Sequence, residues 1–356
     1  MRKNFIRRII AVALIFIAVF SFTACKPSHK DAPTSKVILF IGDGMGANHV
    51  YNTELYAERD MYFSNFKTQT LVDTNSLSGL TDSAAAATAM ATGQRIENGY
   101  IAQNSEGKDI TTITELAKEN KYGVGVVTSD KITGATPAGF SAHADDRDNS
   151  AAILLSQRCS KIDLLLGSGN YDVYSSKFTD EGWTWAEDYS ELSLRKKRFV
   201  LTCDDVVPQN GTDEEPTLTQ LAVYAVKYME KHHSNGYFLM IEGAKIDKAS
   251  HSNDIDAMIA NLLDFENAIK EVEAMLKQAG DDYSIIVTAD HETGGLKRAE
   301  SKEQLTNDLY LLTSHTKAAV PLYFSSTLER VPQIIAKDSI LNTDIFLLCK
   351  YLLNID

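Results

Sequence analysis

Four apolar runs constrain this chain more than any other feature: "KVILFIGDG" from Lys36, "YGVGVVTSD" from Tyr122, "YFLMIEGA" from Tyr237 and "YSIIVTADHE" from Tyr283. Each is short and almost continuously hydrophobic, the pattern of a strand buried on both faces. Between them lie amphipathic stretches: "TTITELAKEN", "TLTQLAVYAVKYMEKHH" and the long "NDIDAMIANLLDFENAIKEVEAMLKQAG", which ends on Gly280 as a helix cap would. Strands alternating with helices predict an α/β fold, a mainly parallel central sheet with helices on both faces. Residues 36–356 are expected to form one such domain. Residues 168–200, which carry both tryptophans in less regular sequence, are expected as an insertion.

The N-terminus is a separate matter. "MRKNFIRR" is basic, "IIAVALIFIAVF" is apolar but too short to span a bilayer comfortably, and "SFTAC" follows. That order predicts a lipoprotein signal peptide over residues 1–24, lipidation of Cys25 and a flexible tether over 25–35. The alternative is an ordinary cleaved signal with Cys25 incidental. Either way the protein is exported. With a lipid on Cys25 it is anchored to the bacterial envelope, and Lys26 points to the outer membrane, facing the periplasm or the cell surface.

Removing residues 1–24 removes Arg2, Lys3, Arg7, Arg8 and no acid, which takes the formal charge from −13 to −17. So acidic a chain is a poor partner for nucleic acid. Any anion site in it must be built locally, from metal, arginine and helix ends. Cys159, Cys203 and Cys349 have no close pair and no metal-ligand spacing, so the sequence assigns no disulfide among them.

The strands end unusually. "VILFIGD" ends on Asp43, "FLMIE" on Glu242 and "SIIVTADH" on Asp290 and His291. In parallel sheets ligands bind beyond the carboxyl ends of strands, so these groups converge on one edge. Alone, Asp43 or Glu242 before a glycine is as readily a turn residue. Asp247 and His251 in "EGAKIDKASHSND" are spaced i, i+4 and share a face if that turn is helical, although a surface hydrogen bond would explain such a pair equally. His315 in "TSHTKAAVPLYF" has the default reading of a solvated loop histidine. Together these clusters describe a multi-metal site, because so many carboxylates cannot stay ionised in one place without cations. Carboxylates and histidines without thiolates suit Zn²⁺, and all-oxygen positions suit Mg²⁺.

"GLTDSAAAATAMATG" fits beside such a site. Ser83 stands at the start of an alanine-rich helix, where the helix dipole and a metal would both favour its alkoxide. The small side chains let that helix approach the sheet. Arg147, in the polar loop "ATPAGFSAHADDRDN", is either a surface arginine or a planar fork for a tetrahedral oxyanion.

The motifs "GDGMG", "TDSAAAATAMATG", "ATPAGFSAHADDR", "IEGAKIDKASH", "TADHETGG" and "SHT" run in one order across residues 36–325. In that order the chain resembles the alkaline phosphatases. The resemblance implies hydrolysis of phosphate monoesters with two Zn²⁺ and one Mg²⁺ per chain, and raises a homodimer. It implies that Ser83 becomes a phosphoserine, that Arg147 grips two phosphate oxygens and that Asp82 orients it. Asp247, His251 and His315 match the ligands of a first zinc. Asp290, His291 and Asp43 match those of a second. Asp43 bridges to a magnesium position completed by Thr136 and Glu242. Lys248 matches a lysine held over the phosphate.

One position departs from the family. Two residues before Thr136 it usually has Asp or His, and "KITGATP" has Gly134. That departure predicts an unrestrained Lys248, a looser magnesium site and faster phosphate release. Rival readings are weaker. Sulfatases need a C/S-x-P-x-R context, which "TDSAAAA" lacks; related phosphodiesterases typically use Thr and lack the arginine clamp. A lipoprotein that only binds metal or phosphate would be expected to have lost the nucleophile or some ligands.

Overall fold

The computed structural model describes residues 34–356. The expected signal peptide, Cys25 and almost all of the tether lie outside them. Twelve strands are present among the described residues: β1 (Lys36–Gly42), β2 (Thr68–Asp73), β3 (Gly123–Lys131), β4 (Leu164–Ser168), β5 (Thr184–Ala186), β6 (Phe199–Cys203), β7 (Tyr237–Gly243), β8 (Tyr283–Thr288), β9 (Glu292–Thr293), β10 (His315–Thr316), β11 (Val320–Ser326) and β12 (Ser339–Leu341). Ten form one sheet in the order β12-β2-β11-β8-β1-β7-β3-β4-β6-β5, and β9 and β10 pair separately. Within the ten-stranded sheet β11 alone is antiparallel to both of its neighbours, β8 and β2, and β9 and β10 are antiparallel to each other.

The four apolar runs are the centre of this sheet, and every residue of β1, β7 and β8 is buried. Register shows why. Val37 pairs with Phe238 and Phe40 with Ile241, so Phe40 and Phe238 face opposite sides of the sheet. Phe40 meets Phe265 of the helix Ile255–Ala279 edge-on, and Phe238 stacks on Phe140, just after the helix Ala135–Gly139. Helices therefore cover both faces, which is what continuous rather than alternating hydrophobicity requires.

The long helix stops where the sequence predicts. Asp254 caps its start by accepting from Ala257 N, and Gly280 closes it with φ at 72°. Residues 168–200 differ from the expected insertion by continuing the sheet. They contain the helix Ser175–Asp180 and β5, the edge strand parallel to β6. The apolar side chains responsible are Phe178 and Trp183, both buried and in edge contact. Among the described residues no helix is long and apolar enough to cross a membrane, and Cys159, Cys203 and Cys349 are all free thiols.

Candidate metal and phosphate site

The carboxyl ends of β1, β7, β8 and β3 lie side by side in the sheet order, and the polar residues gather there. Asp43, Asp290 and His291 form one cluster. His291 Nε2 is 3.5 Å from Asp43 Oδ1 and 3.2 Å from Asp290 Oδ2, with all three residues buried. Asp247, His291 and His315 form a second. His251 joins it from the helix Lys245–His251, with Nε2 3.3 Å from Asp247 Oδ2 and 3.2 Å from His315 Nε2. The i, i+4 pair does share a helical face. His291 and His315 stack with centroids 3.5 Å apart, so the two clusters are contiguous.

The outer hydrogen bonds fix how these rings point. His251 Nδ1 lies 2.6 Å from the Thr313 carbonyl and His315 Nδ1 lies 3.0 Å from the Thr81 carbonyl. Carbonyl oxygens only accept, so each Nδ1 carries the hydrogen and, in the neutral rings, each Nε2 turns a lone pair toward Asp247. Thr293 Oγ1 donates to Asp247 Oδ1 at 2.5 Å and stands 3.2 Å from His291 Nδ1, which orients that ring too. Lone pairs converging on carboxylates, each backed by an outer partner, are the arrangement of metal-ligating histidines.

The carboxylates say the same. Asp43 Oδ1 and Asp290 Oδ2 are buried without a hydrogen-bond partner, a costly state unless a cation meets them. Burial, then Asp290, Asp247 and Glu242, push the Asp43 carboxyl well above its ordinary range. Burial pushes Glu242 up to about 8. Against burial, hydrogen bonding from His251 holds Asp247 down at about 2, and Asp247 in turn lifts His251 to about 9. Without a cation, protons occupy the places where positive charge belongs. These residues fit divalent metal ions.

Beside the clusters, Ser83 opens the helix Ser83–Thr92 with Oγ 3.2 Å from His291 Nε2. Asp82 is the N-cap: Oδ1 accepts from Ala85 N at 2.9 Å and Oδ2 accepts from Gly99 N and from Arg147 Nη1, each at 3.0 Å. The run of alanines is explained by packing. A Cβ on Gly139 would stand 2.9 Å from Ala87 Cβ, so this helix and Ala135–Gly139 touch almost backbone to backbone. Thr136, on that second helix, places Oγ1 3.5 Å from Asp43 Oδ2 and also favours the charged form of the Glu242 carboxylate. The expected oxygen set of Asp43, Thr136 and Glu242 is thus brought together.

One expectation is corrected. Lys248 is not unrestrained: its Nζ lies 2.5 Å from Asp130 Oδ2. The carboxylate absent at Gly134 is supplied four residues earlier, from the end of β3. Asp130 closes the run "YGVGVVTSD" just as Asp43 closes "VILFIGD", so it carries the same strand-end signal. Thr128, which hydrogen-bonds Glu242, and Thr293 were also missed. A threonine near a ligand carries no pattern of its own, and only the fold reveals it.

The chain is similar to known proteins over most of its length. The family profile described as "Alkaline phosphatase" matches residues 34–186 and 206–343. Alkaline phosphatase 3 of Bacillus subtilis is 31% identical over 329 residues, covering 82% of this chain and 71% of that protein. The alkaline phosphatase of Escherichia coli is 26% identical, covering 75% and 72%. Among solved structures, the alkaline phosphatase of the Antarctic bacterium TAB5 superposes with a TM-score of 0.77 at 25% identity, covering 91% of this chain and 99% of that one. A variant of that enzyme is described with Mg bound in its M3 site.

Proposed function

Because the chain belongs to the alkaline phosphatase family, a metal-dependent group of phosphoesterases, we propose that it hydrolyses phosphate monoesters through a phosphoserine on Ser83. The observation that carries this reading is the placing of Ser83 Oγ, at a helix N-terminus and 3.2 Å from His291 Nε2. Two Zn²⁺, one in the Asp43, Asp290 and His291 cluster and one with Asp247, His251 and His315, and one Mg²⁺ with Asp43, Thr136 and Glu242, would supply the positive charge that lowers the serine pKa and activates water.

The chain's own residues do the rest. Ser83 Oγ loses its proton and attacks phosphorus; the Oγ–P bond forms, the bond from phosphorus to the ester oxygen breaks, and the alcohol leaves with a proton. Arg147, aimed by Asp82, grips two phosphoryl oxygens and stabilises charge in transit. Water then attacks phosphorus from the opposite side, the Oγ–P bond breaks, and inorganic phosphate leaves. Lys248 adds a second cation for the anion.

The test is hydrolysis of a nitrophenyl phosphate monoester against the bis-ester, by the metal-loaded protein and by Ser83→Ala. Strong monoester preference lost in the variant and after chelation supports the reading. A diester preference would favour phosphodiesterase chemistry, and metal binding without turnover would favour a binding lipoprotein. We further infer export and lipid anchoring at Cys25, with dimerisation to be read by light scattering. Loss of membrane association in Cys25→Ser is the check on the anchor.

A further inference from the structure

We propose that Asp130 is the positioning residue for Lys248, and that through this lysine it sets how tightly the site holds phosphate. The inference rests on the phosphatase reading above. Its basis is a local irregularity. β3 and β4 keep register from Gly125–Leu164 to Val127–Leu166, and the next pair is Lys131–Ser168. β3 spends four residues where β4 spends two, so Thr128, Ser129 and Asp130 form a bulge. Bulges re-aim side chains at sheet ends, often beside active sites.

Each residue of this bulge ties to the site. Thr128 Oγ1 donates to Glu242 and accepts from Asp130 N at 3.1 Å. Ser129 Oγ accepts from Ala244 N at 2.8 Å, at the entry to the helix that carries Asp247, Lys248 and His251. Asp130 then meets Lys248 Nζ at 2.5 Å. The partners are unequal. The Lys248 side chain is 54% exposed and that of Asp130 is 17% exposed, so the rooted carboxylate fixes the mobile ammonium rather than the reverse. An unpaired lysine must give up rotamer freedom each time it binds an anion, and a paired one has already lost it. The ammonium has three donors, and one contact to Asp130 leaves two for phosphate. Gly134 cannot do this work, having no side chain.

The test is calorimetric titration of the zinc- and magnesium-loaded protein with inorganic phosphate, in wild type, Asp130→Ala, Lys248→Ala and the double variant. Asp130→Ala should weaken phosphate about three- to tenfold, and should change it by less than about twofold once Lys248 is alanine. In steady state KM should rise more than kcat falls, which a general loss of structure would not produce. Asp130→Asn, which keeps the shape, should weaken phosphate in the same direction if the alanine variant folds poorly. Unchanged or tighter phosphate in the Asp130 variants would overturn the proposal. So would an equal effect in the absence of Lys248. A wild type that neither binds phosphate nor turns over monoester would overturn the phosphatase reading, and this inference with it.

Discussion

Asp82 joins Arg147 to the helix that carries Ser83: one carboxylate oxygen accepts from Ala85 N at 2.9 Å and the other from Arg147 Nη1 at 3.0 Å. A single side chain thus caps the helix and aims the guanidinium, and two substitutions separate these tasks. Asp82→Asn keeps a capping oxygen but loses the charge facing Arg147, so KM for a monoester should rise with little change in thermal stability. Asp82→Ala should raise KM and also cost about 1 kcal/mol of stability through the lost cap. The partly exposed ion pair itself contributes less than about 1 kcal/mol. Steady-state kinetics paired with thermal unfolding reads both.

Thr293 touches two ligands at once, Asp247 Oδ1 at 2.5 Å and His291 Nδ1 at 3.2 Å. Thr293→Val removes both contacts while preserving volume. Outer partners of metal ligands are worth about 10–100-fold in affinity, so zinc affinity in a chelator competition should fall by that order. Activity should return at high zinc. Unchanged zinc affinity would mean that the neighbouring backbone alone holds these ligands.

Metal removal should leave a protein whose stability falls as pH rises. Glu242, raised from 4.5 to about 8, and His251, raised from 6.5 to about 9, bind protons in the folded state that the unfolded chain has already released. Their stabilisation is complete below the unfolded values and is lost as pH passes through the folded ones. His49 acts oppositely below 6.5: burial lowers it to about 4, so stability is regained as pH rises between those values. The clear window is therefore pH 6.5 to 9. Chelated protein should lose thermal stability steadily across it, and zinc with magnesium should flatten the decline and raise the midpoint.

Gly134→Asp tests the corrected expectation. Were Lys248 unrestrained, a carboxylate here would tighten phosphate inhibition. With Asp130 at 2.5 Å from Lys248, the substitution in the wild type should change the inhibition constant by no more than about twofold. In an Asp130→Ala background it should recover much of the lost affinity. The added Cβ stands 3.1 Å from the Lys131 carbonyl, a close fit that a small shift relieves.

The sheet was legible because burial on both faces writes itself into continuous apolar runs, and the site because three of those runs end on Asp43, Glu242 and Asp290-His291. What stayed hidden has a common physical cause. Asp130 ends its apolar run as Asp43 does, but the bulge that aims it at Lys248 is a change of register between strands, which a sequence read strand by strand does not mark. Thr128 and Thr293 work through hydroxyls whose partners lie 114 and 46 residues away. Residues 168–200 looked irregular because an edge strand of three residues, Thr184–Ala186, is too short to show a period. Phe178 and Trp183 were the sign that this stretch had a core to join.

The most direct test is to find the phosphoryl group itself. The metal-loaded protein is incubated with excess inorganic phosphate or monoester at mildly acidic pH, quenched in acid, and digested for mass spectrometry. The expected result is one phosphorylated site, Ser83, that is absent from Ser83→Ala and from chelated protein. Monoester turnover with no phosphoryl group on Ser83, or with the group on another residue, would contradict it.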